Sequence, residues 1–516
     1  MLLVGAAAAL TLSSRPAAAQ AFAAAKSSLS QYSKAKRTPH MTCAALGQFA
    51  AKELVKISAV TIDATAGIPA QCRVTGVLAP EIAFEVSLPA HWNGRFYMIG
   101  NGGHAGESLE DPMRVAQRNA ALQAGFAFAQ TNTGHDARKE PGASFVMSNP
   151  AKALDYAYRA VNLTAVTAKA ITRSYYGTDI ARSYWNSCSN GGRQGLVEAQ
   201  RYPQDFDGIL ANSPWVDQTG FTIGAMWNQR AIDAAPLSAA KLALVAKAVM
   251  AKCDALDGLK DGQIDDPRGC TLDVKTDLPA CAAGTDDDTC LTAAQSAAVM
   301  KIYSGPVTQG QQVFPGFMPG SEVGWMNLIV PPQPARKAAD FNLAEGTMRY
   351  LVHTPPQPDY DYRSFDFDRD THQLDAWGQL VNATNADLSR FRNRGGKLIM
   401  TYGWADPVLQ PMVGVNYYER AVEKNGPDTP QFFRLFMVPG MGHCGGGIAT
   451  DRFDAVTALV DWVEKGKAPD VIRAARVVKD QEVRSRPLCA YPQVARYSGQ
   501  GSIDEAASFR CVNPRG

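Results

Sequence analysis

The hydrophobic pattern divides the chain into a regular start, an irregular middle and a regular end. Over residues 82–88 apolar and polar positions alternate, as on a strand with one buried face. Residues 95–99 form a short apolar run leading into Gly100-Asn-Gly-Gly103, and 125–130 form another ahead of Thr131-Asn-Thr-Gly134. The Ala-rich stretch from about 151 to 176 predicts a long helix. Residues 182–186 then read as a strand, 192–201 as a helix and 206–211 as the next strand. Strands alternating with helices predict a mostly parallel α/β sheet. The alternation stops between about 214 and 394, where four cysteines, many aspartates, Pro-rich turns and scattered aromatics occur. It returns at 397–402, at 432–438 and in a helix after Asp451. The expected architecture is an α/β core made of 20–213 and 395–516, with 214–394 inserted into it.

A chain of 516 residues is long enough for one large domain with an insertion, or for two domains. The formal net charge of +2 supplies no basic surplus that would point to nucleic acid or an anionic membrane. Residues 1–12 are apolar and Pro16-Ala-Ala-Ala19 follows, which reads as a signal peptide cleaved after Ala19, although no Lys or Arg precedes the run. That run is shorter than the roughly 20 apolar residues a bilayer needs, and no other uninterrupted apolar stretch reaches that length. The expected location is secreted or periplasmic. Asn162-Leu-Thr and Asn382-Ala-Thr are glycosylation sequons, relevant only in a eukaryotic host.

The ten cysteines form no C-x-x-C pair, which argues against a zinc ribbon or a thioredoxin motif. In an exported chain an even count suggests five disulfides. Neighbours in sequence suggest Cys43–Cys72, Cys253–Cys270, Cys281–Cys290 and Cys489–Cys511, leaving Cys188 and Cys444, although spacing alone does not fix connectivity.

Candidate chemistry centres on Ser187-Cys188-Ser189-Asn190-Gly191-Gly192, between a predicted strand and a predicted helix. This is the setting of a nucleophile elbow, in which a sharp turn exposes a serine at the sheet edge. The usual pattern is G-x-S-x-G, and here Ser187 stands at the first glycine position. A nucleophilic serine needs a base and an acid that orients the base. Asp406 follows the strand at 397–402, and His443 follows the strand at 432–438 within Pro439-Gly-Met-Gly-His443-Cys444-Gly-Gly-Gly447. The order Ser, Asp, His is that of α/β-hydrolases, and ends of strands are where open α/β sheets place their sites. His104 and His135 also follow strands and are candidate substrate neighbours. The expected oxyanion donors are the Asn190 N–H and an N–H of the Gly100–Gly103 loop, Gly103 first and Gly102 second. If Ser189 and His443 meet, Cys188 and Cys444 must also be close, as a disulfide or as two buried thiols.

On Cys188-Ser189, Asp406 and His443-Cys444 the sequence resembles the tannase and feruloyl esterase family, from about Cys43 to Cys511. The resemblance implies an α/β-hydrolase core with a lid, here 214–394. It also implies a structural Ca²⁺ in the lid, at the acidic run 253–266. Asp254, Asp257 and Asp261 would bind by carboxylate, and Leu259 and Gln263 by backbone carbonyl. Six to eight oxygens from a flexible acidic loop suit calcium, and the spacing is not that of an EF-hand. The implied activity is hydrolysis of esters of aromatic acids, such as feruloyl or galloyl esters, with a small-molecule substrate. Trp325, Tyr350 and Phe341 are lid aromatics suited to stacking, and Arg349 would meet a substrate carboxylate or pair with a lid acid. Alternatives are terephthalate-type monoesters, a non-catalytic hydrolase-fold binding protein, and an exported peptidase.

Overall fold

The computed structural model describes residues 21–32, 37–332 and 336–514. The expected signal peptide, 1–19, lies outside the described residues. A nine-stranded sheet runs through the core. It opens with an antiparallel meander, β1 (Leu54–Ile62), β2 (Gln71–Leu78) and β3 (Ile82–Pro89). Six mutually parallel strands follow: β4 (Arg95–Met98), β5 (Ala127–Thr131), β6 (Arg182–Cys188), β7 (Gly208–Asn212), β8 (Lys397–Gly403) and β9 (Phe433–Val438). Their spatial order is β1-β2-β3-β5-β4-β6-β7-β8-β9. β1 and β2 go beyond the sequence reading. β1 is an edge strand exposed on much of its length, so it carries little apolar alternation.

Successive strand residues feed two cores, as a period of two requires. Phe96, Met98, Ile209, Ala211, Leu398 and Met400 point to one face, against Ala160–Tyr176 and Pro411–Asn425. Tyr97, Leu210, Ile399 and Phe436 point to the other, against Pro112–Gln123 and Ala455–Lys465. The helix expected at 151–176 is continuous but contains a π-turn, Asp155–Arg159.

Register decides where the site forms. Cys188 of β6 pairs with Asn212 of β7, Asn212 with Thr401 of β8, and Gly403 with Val438 of β9. The loops after β6, β8 and β9 therefore leave from one edge of the sheet. Residues 213–396 run between β7 and β8 and have an apolar core of their own around Val245, Val249, Val299 and Trp325. Two of its helices, α1 (Gln218–Ala234) and α2 (Ala339–Gly346), also pack toward the sheet edge. After the core comes the hairpin β10 (Val471–Val478) and β11 (Gln481–Cys489). No single helix among the described residues is long and apolar enough to cross a membrane.

Candidate active site

The turn after β6 holds Ser189 at φ +63°, ψ −128°, a conformation that costs an L-residue on the order of 1–3 kcal/mol. Surrounding bonds hold it there. Ser189 N–H donates to Asn212 O (3.0 Å), and Ser189 O accepts from the N–H groups of Arg193 and Trp215 (3.0 Å each). The helix begins at Asn190. A Cβ on Gly191 would collide with Ser187 Oγ and stand 3.0 Å from Asn101 N, so the small residues at 187 and 191 let the helix close on β6 and on the Gly100–Gly103 loop.

Beyond β8, Asp406 is fully buried, with Oδ1 accepting the N–H groups of Val408 and Leu409 (2.9 Å each). Its Oδ2 stands 2.9 Å from His443 Nδ1, whose side chain keeps 20% exposure. A ring bound through Nδ1 leaves Nε2 on its opposite side for another partner. Cys188 and Cys444 form a disulfide with Cα atoms 6.0 Å apart, tying the residue before Ser189 to the residue after His443. The other four pairs are Cys43–Cys72, Cys253–Cys270, Cys281–Cys290 and Cys489–Cys511, so no cysteine is free.

In the loop after β4, Asn101 N–H donates to Gln194 Oε1 (3.0 Å) and Gly102 N–H to Glu107 Oε1 (2.9 Å). Gly102 is thereby spent as a donor. Gly103, at φ +36°, has no N–H partner among the described residues, and neither has Asn190 at the first position of its helix. Gln194, Glu107 and Arg114, which pairs with Glu107 at 2.8 Å, are supports that sequence reasoning missed. Glu107 stands only four residues past the glycine loop, which was the available signal.

Several buried polar atoms near this edge lack partners among the described residues: His104 Nδ1, Trp215 Nε1 and both oxygens of Asp340. His104 binds Thr347 Oγ1 through Nε2 (3.0 Å), and burial, aided by His135, pushes its pKa down to about 3. Asp340 is on α2 and 3% exposed, and burial, reinforced by the charge of Asp406, holds its carboxyl well above the usual range. In the same helix Leu343 lies over Gly103. Asp340 carried no sequence signal, since a carboxylate in an acidic insertion reads as solvated. His135 is buried against Phe145, ring centroids 4.2 Å apart. Of the insertion aromatics, Trp325 is core, packed with Tyr303 and Phe317, and Phe341 packs on Tyr362. Tyr350 is half-buried, and Arg349 pairs with Glu345 at 3.0 Å.

The acidic run forms a tight turn, with Gly258 and Gly262 left-handed. Asp254 Oδ1 gathers the N–H groups of Asp261, Gly262 and Gln263 (2.9–3.2 Å). Arg486 binds Asp261 Oδ2 at 2.6 Å and Arg484 approaches it at 3.6 Å. Burial and the neighbouring Asp257 push the Asp265 carboxyl up to about 8, and Gln263 Oε1 is buried without a partner. Crowded carboxylates beside an orphaned oxygen are a donor set that fits a hard divalent cation. Asp265 belongs to that crowd and was not among the expected ligands.

An α/β sheet with a strained serine turn and an Asp–His pair at the same edge has the architecture of a hydrolase-type fold. Residues 66–512 match the family model described as tannase and feruloyl esterase. The chain is 37% identical to an uncharacterised esterase of Xanthomonas campestris pv. campestris, over 87% of this chain and 86% of that one. It is 33% identical to mono(2-hydroxyethyl) terephthalate hydrolase of Piscinibacter sakaiensis, with 87% and 86% covered. The crystal structure of feruloyl esterase B from Aspergillus oryzae superposes with a TM-score of 0.77 at 28% identity, covering 91% of this chain and 99% of that one. The chain belongs to the tannase and feruloyl esterase family, and is a carboxylic ester hydrolase.

Proposed function

We propose that this protein is a secreted serine esterase that cleaves esters of aromatic, phenolic acids, with Ser189 as nucleophile, His443 as base and Asp406 as orienting acid. The observation that carries the reading is the His443–Asp406 hydrogen bond, joined to the serine turn by the Cys188–Cys444 bridge. His443 Nε2 takes the Ser189 proton as Oγ attacks the ester carbonyl. The N–H groups of Gly103 and Asn190 stabilise the oxyanion. His443 then protonates the leaving alcohol, and water releases the acid. Residues 214–394 act as the lid. Five disulfides and the expected signal peptide support export.

Calcium, when bound, would be structural and take no part in the reaction. Asp254, Asp257 and Asp261 would supply carboxylates and Leu259 and Gln263 carbonyls, with Asp265 beside them. Feruloyl and galloyl esters are the favoured substrates, and a terephthalate-type monoester is the second reading because one relative is named for that activity. Initial rates on methyl hydroxycinnamates, alkyl gallates and a terephthalate monoester separate the two. Ser189→Ala is expected to lower turnover on the best of them by about 10⁵-fold or more. Near-normal turnover in that variant would sink the assignment.

A further inference from the structure

Tyr156 sits in the π-turn of the long helix and is fully buried, so it offers nothing to a substrate. Its hydroxyl is nevertheless at the centre of a chain of bonds. Gln218 Nε2 donates to it at 2.7 Å, and it donates its single proton to Gly103 O at 2.9 Å. Asn190 Oδ1 lies 3.5 Å from the same hydroxyl. The main chain of Tyr156 contributes too. Arg193 donates to Tyr156 O (3.2 Å), to Ala157 O (2.8 Å) and, through Nε, to Asn190 Oδ1 (2.6 Å). One residue thus links two backbone segments whose N–H groups have no partner among the described residues, Gly103 by its side chain and Asn190 through Arg193.

The same chain reaches the lid. Trp377 Nε1 donates to Gln218 Oε1 at 2.9 Å, its ring stacks on Tyr156 with centroids 6.3 Å apart, and Arg193 donates to Val381 O at 2.8 Å. Gly103 needs such fixing. It is left-handed and has no side chain, so its peptide planes tilt freely unless both neighbours are held. On its N-terminal side Ala105 N–H holds Gly102 O at 2.8 Å. On its C-terminal side the Tyr156 hydroxyl is the anchor.

We propose that Tyr156 is a positioning residue that sets the two oxyanion donors relative to each other, and that the lid helps assemble the oxyanion hole through Trp377, Gln218 and Tyr156. This rests on the serine esterase reading above. A purely structural network would lower stability and spare the transition state. A positioning network spares the ground state instead.

The test compares the full-length wild type with Tyr156→Phe and Trp377→Phe, each normalised by active-site titration. An aryl trifluoromethyl ketone reports the tetrahedral oxyanion, and the matching aryl alcohol, which has no carbonyl, reports ring binding alone. Tyr156→Phe is expected to lower kcat about tenfold, short of the roughly 10²–10³ lost when a donor itself is deleted, with KM within about twofold. The ketone inhibition constant rises by the same factor and that of the alcohol stays put. Trp377→Phe shows the same pattern at about threefold, as expected for a contact one step further out. The idea is overturned if Tyr156→Phe keeps kcat within twofold of wild type, or if ketone and alcohol weaken together. Should Tyr156→Phe not fold, Trp377→Phe and Gln218→Met decide by the same ratio, and an unchanged ketone-to-alcohol ratio in both overturns it. A wild type that neither turns over an activated ester nor binds the ketone removes the esterase reading, and this inference with it.

Discussion

The corner around His443 and the acidic turn at 254–266 are each closed by a disulfide, Cys188–Cys444 in one and Cys253–Cys270 in the other. They treat their carboxylates in opposite ways. At the first corner both oxygens of Asp406 are bound, with the imidazole on one and two backbone N–H groups on the other, and the buried Asp340 carboxyl is its acidic neighbour. At the second, Asp254, Asp257, Asp261 and Asp265 share one turn, and Asp265 is driven toward its protonated form by burial and by Asp257. Bonds to both oxygens fix the position of the Asp406 carboxylate against the imidazole. Crowded carboxylates repel one another, and a proton or a bound cation relieves that repulsion. Under the proposal above, the contrast is between a carboxylate held for chemistry and carboxylates held for stability.

The largest expected effect is at the first corner. Asp406→Asn replaces the acceptor of the His443 Nδ1 proton and favours the wrong tautomer, so kcat should fall by about 10⁴-fold. Rapid-mixing rates with circular dichroism as the fold control measure this, and a loss below tenfold would end the claim that Asp406 is held for chemistry. Next comes the bridge. The double change Cys188→Ala with Cys444→Ala frees the serine turn from the histidine loop, and kcat should drop about 10²-fold through misplacement. The same variant should lose roughly 2–5 kcal/mol of stability, read from urea unfolding.

Calcium removal should act on the other side of the contrast. With calcium at about 100 times its Kd, chelation should cost around 2.7 kcal/mol, seen as a lower Tm in calorimetry, while kcat at 25 °C stays within about twofold. A chelator that leaves Tm unchanged would make the acidic turn an ordinary solvated loop. The smallest effect is a pH slope in the chelated protein. Because the Asp265 carboxyl is raised to about 8, the folded state binds more protons than the unfolded chain from the ordinary carboxylate range up to that value. Its contribution to stability is present at low pH and lost as pH rises through about 8. Asp265→Asn should flatten that decline, and saturating calcium should flatten it in the wild type.

Much of the core was readable along the chain because most of the parallel strands are short apolar runs buried on both faces. β1 and β2 were not, since the edge strand is largely exposed and β2 interrupts its buried positions with Cys72 and Gly76. Ser189, Asp406 and His443 could be nominated because each follows a recognisable strand. Tyr156, Arg193, Gln194 and Asp340 could not. The side chains of Tyr156 and Gln194 reach the site through partners 34 or more residues away, Arg193 adds such bonds to its local ones with Ser189 and Asn190, and the burial that gives these groups and Asp340 weight is invisible in one dimension. Trp325 illustrates the converse. Its ring suits substrate stacking by type, and the insertion uses it as core.

By itself, the sequence determined the local features: where strands alternate with helices, where a small-residue turn exposes a serine, and which cysteines flank Ser189 and His443. These follow from periodicity and residue size, which act over a few positions. The tertiary structure alone decided which N–H groups are left without partners among the described residues, which carboxylates are satisfied and which crowd one another, and that Tyr156 joins the insertion to Gly103. Those outcomes depend on desolvation and on hydrogen bonds between distant segments, which exist only once the sheet edge and the insertion have closed on each other.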